Sequence, residues 1–101
     1  MRFAIVFEIP VEIGNAFEKD PKAGEFFVKF LKQLKPEAGY FSSLRRSGIL
    51  ITKAESEEEL VQQLVPIWHI FKTYPQVDLV SSLDEFITTI PKLKELLKDL
   101  P

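Results

Sequence analysis

The chain contains no cysteine, which removes disulfides, thiolate nucleophiles, iron–sulfur clusters and zinc–thiolate sites together. Histidine is nearly absent too: His69 stands alone, and no carboxylates surround it at metal-ligand spacing, so neither a metal nor another cofactor is expected. Glycine is sparse, with four in the chain, and neither a Gly-rich phosphate loop nor a G-x-S-x-G elbow occurs. Nucleotide binding and acyl transfer therefore lack a signature. No apolar run approaches the roughly 20 residues that span a bilayer. The first ten residues, MRFAIVFEIP, are apolar but alternate with a period of two and have no small-residue cleavage site. They read as a strand rather than a signal peptide, so a cytoplasmic protein with no membrane partner is the expectation. A net charge of -2 creates no broad positive field, and nucleic acid is not an expected partner.

What the chain does have is apolar bulk. Of its 101 residues 46% are hydrophobic, nine of them phenylalanine, enough to fill one core and too little chain to fill two. Phe3, Ile5, Phe7 and Ile9 share one face of a first strand, with Ala4, Val6 and Glu8 on the other. Asp20-Pro21 opens a helix over 21–35, whose apolar positions Phe26, Phe27, Phe30, Leu31 and Leu34 stop at Pro36. The intervening Pro10–Lys19 stretch reads as a long loop or a lid.

Two extended runs, YFSSLR and ILITKA, flank Arg46-Ser47-Gly48 and predict a hairpin in which glycine supplies the positive φ of the turn. Ser56 and Glu59 form a capping box for a second helix with its stripe at Leu60, Leu64, Ile67 and Phe71. Pro66 predicts a kink there. A strand over 76–81 comes next. Ser82 and Glu85 then cap a last helix, which Pro91 is expected to break. The order β, α, β, β, α, β plus an extra helix predicts an α+β, ferredoxin-like βαββαβ sheet of strand order 4-1-3-2 in one domain spanning 1–101.

Helices cover one face of such a sheet, and Phe3, Ile5, Phe7, Val77 and Leu79 mark that face. The opposite face carries Ala4, Val6, Val80 and, by the favoured hairpin parity, Phe41, Ser43 and Arg45. That face is too apolar to be left wet, which predicts a homodimer packed sheet against sheet. The leucine-rich last helix would then cover a sheet edge or reach the partner.

Three segments, FEIP in the first strand, SGILITKAESEEEL from strand into capped helix, and YPQVDLVSSLDEF, resemble the dimeric α/β-barrel superfamily, above all its muconolactone-isomerase-like members. The resemblance spans most of residues 2–86. It implies a dimeric barrel and little about activity, because members include isomerases, monooxygenases, heme-related enzymes and effector-binding domains. The chain lacks the Asn/Trp/His set of the cofactor-free monooxygenases, so no catalytic residue carries over.

The residues themselves nominate a site. Glu8, Arg45 and Asp78 are expected to gather at one end of the open face, with Glu8 as general base and Arg45 as anchor for a small organic acid. A charged rim around the dimer interface is the competing reading. Tyr74, whose hydroxyl needs a partner, joins them as a candidate binding residue, while Trp68 and Phe71 read as core and His69 as surface. Three functions are consistent with these residues: a homodimeric small-molecule-binding protein, a cofactor-free isomerase or decarboxylase acting on a small carboxylic acid, or an assembly module with no ligand.

Overall fold

A computed structural model describes residues 1–101. Strand β1 (Arg2–Glu8) is followed by two helices, α1 (Val11–Lys19) and α2 (Pro21–Leu34). The hairpin β2 (Ala38–Ser42) and β3 (Ser47–Lys53) comes next, then α3 (Glu57–Phe71), β4 (Gln76–Val80) and α4 (Leu83–Leu97). The four strands form one sheet in the order β2-β3-β1-β4, antiparallel at every pairing. This mixed α+β arrangement is compatible with a ferredoxin-like fold.

The expected loop at Pro10–Lys19 is a helix instead. Ile13 and Phe17, four residues apart, turn one side of α1 inward, and the Phe17 ring lies 5.8 Å from that of Phe71. Asp20 joins α1 to α2 without a loop: its N–H donates to the Ala16 and Phe17 carbonyls, and its carboxylate accepts from the Lys22 N–H at 3.1 Å. The Pro21 start of α2 then matches the expectation, because proline at the first helical position forfeits no hydrogen bond.

The hairpin turn also sits earlier than expected, over Ser43–Arg46, and the positive φ belongs to Arg46, at 46°, not to a glycine. Gly48 serves a different purpose. A Cβ there would stand 2.5 Å from the Phe7 ring, so glycine makes room for the cross-strand aromatic. The shift reverses the hairpin's parity: Phe41 pairs with Gly48 on the helix-covered face, and Tyr40, paired with Ile49, lies on the open one. Arg45 is in the turn and exposed.

The core lies between the centre of the sheet and helices α2 and α3. Ile5, Phe7 and Leu50 from the strands meet Phe30, Leu64, Ile67 and Phe71. Phe71 is 0% exposed; its ring stacks on Phe7 at 5.2 Å and meets Phe27 edge-on at 4.9 Å. Leu79 falls outside this cover, exposed at the sheet edge, contrary to its expected burial. Ser56 accepts from the Glu59 N–H at 3.2 Å to open α3, but Glu59 reaches back to the Glu55 N–H, so the reciprocal half of the box is displaced by one residue.

Neither internal proline ends its helix. α3 runs through Pro66 and α4 through Pro91. The expected break of the last helix at Pro91 does not occur: α4 continues through it to Leu97. α4 buries no residue. The chain is accordingly elongated, 58 × 25 × 21 Å with a radius of gyration of 17.3 Å, against about 13 Å for a compact chain of this length.

Candidate functional site

The register defines the open face row by row. Its middle rows are Tyr40, Ile49, Val6 and Gln76, then Ala38, Ile51, Ala4 and Asp78. Glu8 with Ser47 closes one end, and Lys53, Arg2 and Val80 close the other. Glu8 and Asp78 thus stand four residues apart along β1, about 13 Å, instead of sharing one end. The Glu8 and Arg45 side chains enter no hydrogen bond or ion pair, and the Asp78 carboxylate accepts only from the Gln76 amide at 3.3 Å. Tyr74 is 85% exposed and packs its ring on Trp68 at 5.7 Å. All four nominated residues are on the surface: Glu8, Arg45 and Tyr74 lie toward one end of the sheet without hydrogen bonds among their side chains, and Asp78 is displaced from them toward the middle rows.

The charges that do converge are others. Arg2 donates to Glu37 at 2.9 Å and to Glu85, in the first turn of α4, also at 2.9 Å, while Lys53 pairs with Glu37 at 3.0 Å. Hydrogen bonds from the Arg2 guanidinium hold both carboxyls below the usual carboxylate range, and Ser82 adds to the effect at Glu85. At the opposite end of the sheet Arg46 clamps α1, donating to Asn15 at 3.0 Å and to Glu18 at 2.6 Å across Gly14. Both arginines tie elements together. Their sequence signal was the alternation that puts Arg2 on the open face and the position of Arg46 at the hairpin turn.

A cleft of about 420 Å³ opens between α2 and β2, on the helix side of the sheet. Phe7, Phe27, Leu31, Phe41 and Leu50 line it, Gly39 leaves its floor low, and Lys32 is the single charged residue in its wall. A Cβ at Gly39 would come within 3.1 Å of Leu50. Sequence reasoning missed this site because the misplaced turn sent Phe41 to the other face. No group of three His, Asp or Glu side chains is placed to hold a metal ion, and no helix is long and apolar enough to cross a membrane. No family model, curated protein or solved structure matches the chain.

Proposed function

We propose that this chain is a homodimeric small-molecule-binding protein of the ferredoxin-like, dimeric α/β-barrel type, and that the α2–β2 cleft takes a small carboxylic acid with an apolar body. One observation carries the reading: an apolar, aromatic-lined cleft with one cation, Lys32, in its wall. Its volume falls in the range of small-molecule sites, about 300–1,000 Å³, and a lysine ammonium suits a carboxylate as a point charge. The apolar centre of the open face supports the dimer, since Val6, Ile49 and Tyr40 are all exposed there.

The catalytic alternative, an isomerase or decarboxylase with Glu8 as base and Arg45 as anchor, has less support. A general base must come within hydrogen-bond reach of its proton, and Glu8 lies on the face opposite the cleft. A titration of the 15N-labelled protein with phenylacetate and hexanoate tests the proposal. Amide shifts confined to Leu31, Lys32, Gly39 and Phe41 are expected, and Lys32→Glu is expected to weaken binding about tenfold, the equivalent of about 1.4 kcal/mol. The uncharged analogue benzyl alcohol is expected to bind equally to both proteins. An unresponsive cleft would leave the assembly module as the better reading.

A further inference from the structure

Helix α4 carries a seam without a cover. Leu83, Phe86, Ile90, Leu93, Leu97 and, just beyond the helix, Leu100 repeat at alternating three- and four-residue spacing, and all but Ile90 are exposed. The helix starts on the open-face side of the sheet, because Glu85 in its first turn is held by Arg2, which shares that face with Val6 and Ile49. Seam and face are thus adjacent unpartnered apolar surfaces on one chain.

We infer that α4 is an intersubunit arm whose seam lies on the open sheet face of a second copy of this chain. The inference rests on the homodimer proposed above and changes what covers its open face, from the partner's sheet to the partner's arm. The dimensions agree: the 15 residues of α4 span about 22 Å and the seven of β1 about 23 Å. So does the size of the surface. Fourteen open-face residues and eight on the seam side of α4 (the six above with Ile87 and Lys94) make 22, within the roughly 20–30 per partner of a stable interface.

Charge is complementary as well. Glu8 and Asp78, the carboxylates on the open face, have no cationic partner, and Lys94, flanking the seam, has no anionic one. The two cations of that face, Arg2 and Lys53, are already engaged by Glu37 and Glu85, which leaves Glu8 and Asp78 as the open-face charges available to a lysine at the edge of the seam. Two other occupants fit less well. Two arms wound together would form under three heptads, shorter than coiled coils usually need, with Pro91 inside. A membrane surface is not favoured by an arm in which Asp84, Glu85, Glu95 and Asp99 outnumber Lys92, Lys94 and Lys98.

The test mixes 13C-methyl-labelled and unlabelled full-length protein and records NOEs between subunits, alongside light scattering. A dimer with NOEs from the Leu93 and Leu97 methyls to Val6, Ile49 or Tyr40 is expected. Leu93→Glu, which touches no core residue, is expected to raise the dimer dissociation constant at least tenfold with an unchanged far-UV spectrum. NOEs from arm to arm alone, or a dimer indifferent to Leu93→Glu, would overturn the arm and leave the homodimer standing. A monomer at 100 μM would overturn both, whether or not it binds vesicles of anionic phospholipid.

Discussion

Helices α3 and α4 are written in the same grammar. Each has a serine cap, each carries an acidic first turn, each contains a proline, and each repeats apolar residues at three- and four-residue spacing. In α3 that repeat places Leu64, Ile67 and Phe71 in the core, whereas in α4 Leu83 is 80% exposed and no residue is buried. The difference lies in how each helix is tethered. α3 is the crossover between β3 and β4, so both ends are fastened to the sheet and its stripe is drawn onto the face between them. α4 follows β4 and is tied to the sheet in its first turn, through Glu85, while the remainder of the helix buries no residue. An amphipathic period specifies a helix with a side to bury; it does not name the surface that does the burying.

The largest effect that separates the two helices is a truncation in each stripe. Phe71→Ala is expected to cost about 3–5 kcal/mol, because it opens a cavity among Phe7, Phe17 and Phe27. Phe86→Ala is expected to change monomer stability by less than about 0.5 kcal/mol. Urea denaturation at low protein concentration measures both, and equal losses would mean that α4 packs on its own subunit.

The caps sharpen the contrast. Ser56→Ala removes an acceptor for the Glu59 N–H and is expected to lower global stability by about 1 kcal/mol. Ser82→Ala removes the equivalent bond to Glu85, yet in the isolated subunit it is expected to leave the unfolding midpoint unchanged. Its signature is faster amide exchange within α4.

The smallest effect is on pH. Glu37 and Glu85 have lowered folded values, so their contribution is present above the ordinary carboxylate range and is lost as pH falls through those lowered values. Arg2 is shifted upward, so its side of the bond stays intact until strongly alkaline pH. Acid is therefore expected to loosen the first turn of α4 before it affects the core. In Arg2→Gln the carboxyl 13C titrations of both glutamates should return toward the usual range. Titrations identical to those of the parent protein would show that Arg2 does not hold them in solution. The groups are solvated, which keeps the contribution to stability small.

Much of the architecture was legible from periodicity. Alternation in 2–9 and 76–81, each one residue longer than the strand it marks, the Asp20-Pro21 start, and the serine caps of α3 and α4 all correspond to elements of the structure. Two local features were not. Pro10 and a short apolar stripe disguised α1, whose helix is held by Phe17 against Phe71 and by Arg46 across Gly14, contacts remote in sequence. The glycine at 48 suggested a turn, when its lack of a side chain answers to Phe7 on the neighbouring strand. That displacement moved Phe41 and Arg45, and with them the candidate site: Glu8, Arg45, Asp78 and Tyr74 are surface residues, Asp78 lies away from Glu8 along the sheet, and the apolar cleft lies on the other face.

By itself the sequence determined that this is an α+β chain with a first strand starting at Arg2, capped helices, more apolar residues than one side of a sheet can hide, and no thiol chemistry. These come from composition and from periods of two and 3.6 residues, which are properties of neighbouring positions along the chain. Tertiary structure alone decided which arginine binds which carboxylate, that Gly48 accommodates Phe7, that Phe41 and Lys32 meet in one cleft, and that α4 projects from the sheet. Each of those depends on register between strands or on packing between helices, where a one-residue shift sends a side chain to the opposite face.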